Sequence, residues 1–365
     1  MPILWRYLLR NYLQVFALNV AGFISILLVT RFQTIARFAA ASSSKLSIFK
    51  FVLQQIPFIL PLALPISCLI AALILFRRMS HSGELTALRI SGLGILTISF
   101  PLITCGLLMG MLNFTIVSEI APPCRALSKG LAYQMIALNP LSLFQKETLI
   151  KLKNTYVDIK VLKSGKYAED VCFITKNLSN QRLGLMIAKK LSLKDQKLSG
   201  KDVTFISSIT PKNLDSFDHL VIENQAEMET HSDQVTQYLR SSDWNFNYDY
   251  LNLRMLQAKN KIENGKDSKF NSKMIEEVAR RISLGLAAFT FTLTGIAFGI
   301  DLSRTGKYKK ILMAMALLVF YLICFIAAKS IKHNGPLSTS FLLIPHIFIF
   351  LACIYSFKQI AKGVQ

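Results

Sequence analysis

Residues 80–92 read Ser-His-Ser-Gly-Glu-Leu-Thr-Ala-Leu-Arg-Ile-Ser-Gly, or SHSGELTALRISG. The run LPLALPISCLIAALILF precedes them and ends at Phe76, and LGILTISFPLITCGLLMGML follows from Leu93. Each flank is long enough to cross a bilayer, which takes about 20 apolar residues. The segment between them is polar and patterned like a short helix. Ser82 suits an N-cap. Glu84 in the first turn and Arg89 near the end complement the helix dipole. Gly92 suits the position just past the C-terminus. Leu85 and Leu88 share a face. A helix of two to three turns is marginal alone, so this one must pack on something. From pattern alone, headgroups of its own membrane serve as well as a partner protein.

Working outward, six stretches have the length and apolarity of spans, roughly 12–30, 52–76, 93–117, 282–300, 311–331 and 339–357. The first follows a basic N-terminus, but no clean small-x-small cleavage site follows it, so it reads as a retained helix. The chain of 365 residues is 52% hydrophobic, which places it among membrane proteins. Its charge is uneven. Residues 151–280 hold 21 basic and 17 acidic side chains, a net of +4, which leaves +17 of the total +21 for the membrane part. Positive-inside bias and anionic lipid account for that charge, and no basic-aromatic motif indicates nucleic acid.

With the N-terminus inside, inner segments carry Arg6, Arg10, Arg77, Arg78, Arg89, Arg304, Lys307, Lys309, Lys310, Lys358 and Lys362. Short outer loops carry Arg31, Arg37, Lys45, Lys50 and Lys332, with Lys329 at a boundary. The bias favours both termini in the cytoplasm. Residues 80–92 are then cytoplasmic, and the long insertion 118–281 is external.

That insertion reads as β. Segments 149–152, 156–162, 171–175, 183–193, 203–209 and 220–223 are short and often alternate, as in TYVDIKVL, and Gly, Asn, Asp and Ser clusters separate them. A sandwich or jelly roll is expected. Residues 254–281 turn helical and lead into the fourth span. The expected architecture is a six-helix membrane protein with an inserted all-β, jelly-roll-like external domain. Its parts are 1–117, 118–281 and 282–365. Pro57, Pro61 and Pro65 recur every four residues and predict a kink or break in the second span. The run Glu119-Ile-Ala-Pro-Pro123 is expected to end the third.

The phosphate-cradling G-x-x-x-x-G-K-[ST] pattern is absent from the sequence, as are G-x-S-x-G and H-E-x-x-H. The five His are dispersed and read as surface or interface residues. Outside 151–280 the acidic residues are Glu84, Glu119, Glu147 and Asp301, which form no obvious acid/base pair. No cofactor is expected on this chain. Of the six Cys, Cys68, Cys105, Cys324 and Cys353 fall in apolar runs. A Cys124–Cys172 disulfide is left open by the sequence.

Residues 80–92 resemble the cytoplasmic helix of the lipopolysaccharide export permeases LptF and LptG, in which a Glu-Leu-Thr-Ala-Leu-Arg-like run and a Gly link the second and third spans. The resemblance extends along the chain. It takes in the three-plus-three spans, the external β domain, the basic loop after the fourth span, Arg280-Arg281-Ile282 and Lys332-His333-Asn334-Gly335. Two departures leave the choice between LptF and LptG open. Leu343-Ile344-Pro345-His346 stands where a Trp is often seen, and the 301–310 loop is not Pro-Arg-rich.

The resemblance implies one subunit of an ABC exporter of lipopolysaccharide. A second permease of the family completes a heterodimer, and a cytoplasmic LptB-like ATPase dimer binds the ATP. LptC-like and LptA-like β proteins bridge the periplasm. It further implies that Glu84, Leu85, Leu88 and Arg89 contact the ATPase, that Arg31 and Arg37 meet lipid phosphate, and that spans one and five form lateral gates. Phe16, Phe23, Leu27, Leu317, Phe320 and Cys324 are candidates for lining the cavity. The competing reading is a membrane-anchored docking protein whose β domain binds partners without transport. An anchor has no need of an ATPase-docking helix.

Overall fold

The computed structural model describes residues 2–32, 35, 36, 39, 45–138, 150–152, 155–163, 167–176, 183–194, 197–209, 219–231, 248–263, 268–301, 308–331 and 335–361. Contacts divide the chain into two compact units. One, of 1–32, 52–127 and 246–365, is helical. The other, of 33–51 and 128–245, contains the sheet.

In the helical unit, α1 (Pro2–Thr30) begins ten residues before the expected span. Leu8, Tyr12 and Phe16 recur at helical spacing and are buried, so the basic N-terminus extends the spanning helix. α2 (Lys45–His81) and the short α3 (Glu84–Ile90) follow. α4 (Ile95–Thr115) runs through a π turn (Ile116–Ile120) into α5 (Ala121–Leu138). After the sheet come a 3-10 turn (Tyr248–Tyr250), α6 (Leu253–Glu263), α7 (Ser268–Gly299), α8 (Lys309–Ser330) and α9 (Gly335–Ala361). Among the described residues, six stretches are long and apolar enough to cross a membrane, Ile3–Thr30, Lys45–His81, Ile95–Leu131, Lys273–Gly299, Lys309–Ser330 and Pro336–Ile360.

α7 is the hub. It packs on α4, α8 and α9, and small residues set how close its neighbours come. A Cβ built on Gly295 would lie 2.6 Å from the Leu69 carbonyl oxygen of α2, and one on Gly285 2.9 Å from Phe114 Cβ. Close backbone approach through Gly is the usual packing device between membrane helices, where no hydrophobic effect drives association.

Neither expected break at proline occurs. α2 runs unbroken through Pro57, Pro61 and Pro65. Pro65 has no N–H for the carbonyl of Pro61. Asn113 Nδ2 of α4 donates to that carbonyl instead, at 3.2 Å. The third span also continues past Pro122 and Pro123 instead of ending there. Pro122 and Pro123, four and five residues after Ser118, have no N–H to offer its carbonyl, which accepts from buried Arg281 Nη1 at 3.5 Å. In both places a side chain of a neighbouring helix re-satisfies a freed carbonyl, which lets the helix continue.

The sheet is antiparallel, in the order β1 (Ile150–Leu152), β2 (Thr155–Lys163), β3 (Tyr167–Lys176), β4 (Leu183–Lys194), β5 (Lys197–Ile209), β6 (His219–His231). Among the described strands this is an up-and-down meander, without the Greek-key crossovers of a jelly roll. Two buried rows cross it, Ala168–Leu191–Gly200 and Val171–Ala188–Val203. They lie three residues apart along each strand, not two. Asp170 and Asp202 sit between the rows with φ of +52°. A left-handed residue turns the strand, so strict alternation fails there in β3 and β5, and β4 pairs between them with the same spacing. Cys124 and Cys172 are both free thiols, and in the sheet unit burial and nearby Asp158 push the Cys172 thiol up.

Candidate functional site

Residues 80–92 fold as a docked helical element. α2 carries through His81, and Ser82 Oγ turns back to the Met79 carbonyl at 3.3 Å. Ser82 therefore does not cap α3. Gly83, at φ +75°, makes the turn, and the helix starts at Glu84 without a side-chain cap. The far end matches the expectation. Gly92 is left-handed at φ +86°. Its N–H donates to the Arg89 carbonyl at 3.0 Å, and the Leu93 N–H donates to Leu88 at 3.2 Å. This pair is a Schellman C-cap.

The faces of α3 differ from the sequence expectation. Leu85 is fully buried in the protein's own core with Leu8, Tyr12, Phe76, Met79 and Ile98, and Leu88 and Leu93 pack at the margin of that cluster. Leu85 is thus an internal anchor of α3. Glu84 is half-buried and accepts a hydrogen bond from Tyr7 of α1 at 3.4 Å. Arg89 is half-buried. Thr86, Ala87 and Ile90 face outward, Ile90 with 82% of its surface exposed.

Close by, Asp301 at the end of α7 donates its backbone N–H to Ser80 Oγ at 3.1 Å. Its carboxylate lies 3.9 Å from Lys310 of α8, whose ammonium donates to the Ile300 carbonyl at 3.1 Å. The segment leading into α3 is therefore tied to α7 and α8.

A second set of side chains collects around a cavity of about 120 Å³. Phe58, Pro61, Leu62, Leu284 and Phe325 give it apolar walls, and Arg125, Asp249, Glu277 and Arg280 give it charge. Arg280 grips Glu277 with both arms, Nε to Oε2 at 2.9 Å and Nη2 to Oε1 at 2.6 Å. The same Nη2 donates to Asp249 Oδ1 at 3.1 Å, and Arg125 Nη1 lies 3.6 Å from Asp249 Oδ2. Arg281 is 1% exposed. It donates to Glu277 Oε1 at 2.9 Å and to the carbonyls of Tyr248 at 3.1 Å and Leu251 at 2.7 Å. It thereby fastens the 3-10 turn to α7.

Arg31 stands at this cluster. Its guanidinium lies 4.6 Å from the centre of the Phe58 ring, and that of Arg125 lies 4.4 Å from the same ring. The four arginines outnumber the two carboxylates, so the cluster has a net charge of +2. Arg37 falls outside the described residues, and Lys45 and Lys50 are exposed on α2. Of the proposed cavity residues, Phe16 and Leu317 are buried in helix cores and Phe320 packs on Phe348 at 5.6 Å. Phe23, Leu27 and Cys324 are half-buried. His346 is no surface residue. It is buried between Ser283 Oγ at 3.0 Å and Thr290 Oγ1 at 3.2 Å.

The sequence reading missed Arg125, Asp249 and Glu277. For Glu277 a signal existed: the Glu277–Arg280–Arg281 spacing of three and four is that of helical ion pairs.

A family model described as lipopolysaccharide export system permease LptF/LptG matches residues 6–359. That is nearly the whole chain.

The chain belongs to the LptF/LptG family.

No curated protein matches it in sequence. As an LptF/LptG permease with six apolar helices, it is an integral protein of the inner membrane. The motifs that carried the resemblance, residues 80–92 and Arg280-Arg281, both prove to be tightly held elements of this LptF/LptG chain.

Proposed function

We propose that this chain is one transmembrane subunit of an ABC exporter. It extracts lipopolysaccharide from the inner membrane and passes it to a periplasmic β bridge. A second permease of the family completes the membrane part, and an LptB-like ATPase dimer supplies ATP hydrolysis. The termini and α3 are cytoplasmic and the sheet is periplasmic, as the distribution of Lys and Arg favours. LptC-like and LptA-like proteins take the lipid onward along open strand edges, which offer unpaired main-chain groups.

The observation that carries this reading is the mounting of α3. A motor's closure is transmitted only through an element stiff enough to push on its surroundings. α3 has such a mounting. Leu85 roots it in the helix core, the Schellman turn closes it, and Ser80 ties the preceding turn to Asp301. Thr86, Ala87 and Ile90 form the face left for the ATPase, with Glu84 and Arg89 at its margins. At the other site, Arg31 and Arg37 are the residues that meet lipid phosphate, and Arg31 is joined by Arg125 and Arg280 over apolar walls that suit acyl chains. Guanidinium forks fit phosphate oxygens well.

The test is co-purification. The chain is expressed with its partner permease and the ATPase, as wild type and as Glu84→Arg, and captured through a tag on this chain. Retention of the ATPase by the wild type, with loss or uncoupled hydrolysis in Glu84→Arg, is expected. A folded wild type that retains no ATPase sinks the exporter reading.

A further inference from the structure

Two guanidiniums from different helices, Arg125 of α5 and Arg280 of α7, converge on one carboxylate, that of Asp249. Their situations differ. Arg280 is also held by Glu277 on its own helix. Arg125 has Asp249 as its carboxylate partner among the described ion pairs, and both arginines are mostly covered, at 19% and 22% exposed. Asp249 is 52% exposed and sits on a three-residue turn. An anionic oxygen acceptor thus already occupies the place where two forks point into an apolar-walled cavity. We propose that Asp249 is an internal counter-ion that a phosphate group of the transported lipid displaces from Arg125 and Arg280. The proposal rests on reading this cluster as the phosphate end of the lipid site.

The exchange is chemically even. A phosphate brings at least the charge of the carboxylate and more acceptor oxygens, so both arginines keep charge-assisted bonds when Asp249 leaves. A half-exposed carboxylate is hydrated readily once released, whereas Glu277, at 6% exposed and bonded to both Arg280 and Arg281, is not free to leave. Removal of the lipid returns Asp249 to its place, so the arginines are never bare. The device keeps the site from holding small anions or its own cargo too tightly. It also links cargo to structure. Asp249 lies between Tyr248 and Leu251, whose carbonyls Arg281 holds, so lipid arrival loosens one contact of a turn that is otherwise pinned to α7.

The test uses the full chain with its partner permease in nanodiscs and two fluorescent probes, bis-phosphorylated lipid A and its dephosphorylated form. Asp249→Asn should bind the phosphorylated probe about fivefold more tightly than wild type, the scale of one half-exposed ion pair. It should bind the dephosphorylated probe unchanged, and Asp249→Glu should return towards wild type. Equal tightening for both probes, or none, overturns the counter-ion. A second reading needs no variant. Added phosphorylated lipid A should speed amide hydrogen exchange in wild-type peptides covering 248–252, and unchanged or slower exchange overturns the proposal. If no version binds either probe, the lipid-site reading falls and the counter-ion with it. If wild type binds the phosphorylated probe but Asp249→Asn matches it, the counter-ion alone falls.

Discussion

Asn113 of α4 donates from Nδ2 to the carbonyl oxygen of Pro61 in α2, 3.2 Å away, and supplies the hydrogen bond that Pro65 cannot. The same amide reaches the Leu284 carbonyl of α7 at 2.7 Å, so one side chain joins three helices. Asn113→Leu removes both bonds and overfills the site, and a loss of about 2–4 kcal/mol is expected. Pro65→Ala restores an N–H to α2. The pair Asn113→Ala and Pro65→Ala should therefore cost less than the sum of the two singles. Thermal unfolding in detergent measures this double-mutant cycle, and strict additivity would contradict the assignment.

The hub helix makes a second prediction. At Gly295 an added Cβ meets the Leu69 carbonyl oxygen at 2.6 Å and Ala72 Cβ at 2.7 Å. Backbone cannot yield cheaply there. Gly295→Ala should destabilise the helical unit by about 1–3 kcal/mol. Gly22→Ala in α1, where nothing lies within 4 Å, should not lower the melting temperature. The two variants compared in one detergent check the claim.

The contrast between these glycines shows what the sequence could disclose. Six spans, their order, the inserted β segment and the helix at 84–90 were legible because apolar length and periodicity are local properties. Helix continuity through Pro57, Pro61 and Pro65 was not legible. It depends on Asn113, 52 residues from the Pro61 carbonyl that it reaches. Nor were the faces of α3. Leu85 and Ile90 are both apolar, and only packing against Leu8 and Tyr12 decides which turns inward. The cavity charges escaped for the same reason. Asp249 sits in a segment with no periodicity, and Arg125 follows two prolines that read as a stop. The residues at Asp170 and Asp202 hid the true spacing of the sheet's buried rows, because a left-handed backbone leaves no hydropathy trace.

Arg281 provides a third prediction. It is buried, and its bonds run to Glu277, Ser118, Tyr248 and Leu251. Arg281→Met deprives two carbonyls of the 3-10 segment and one of the π turn of their donor, and a loss of about 3–5 kcal/mol is expected. Arg281→Lys should recover little, because a single ammonium cannot span those acceptors. Limited proteolysis around residues 246–252 and thermal unfolding report the outcome. Wild-type resistance in Arg281→Met would show that the turn is held by something else.

The two faces of α3 separate stability from docking. Leu85→Ala opens a hole in the core and should cost about 2–5 kcal/mol. Ile90→Asp changes a residue 82% exposed and should leave the stability within about 0.5 kcal/mol of wild type. With the ATPase present the prediction reverses. Ile90→Asp should release it, because a charge is placed in the middle of the outward face. Thr86→Asp should act in the same direction. Co-purification through a tag on this chain, alongside a melt of each variant, reads both quantities. Ile90→Asp that keeps the ATPase at wild-type yield would move the docking surface off this face, and the half-buried Glu84 and Arg89 would then have to carry the contact from the margin.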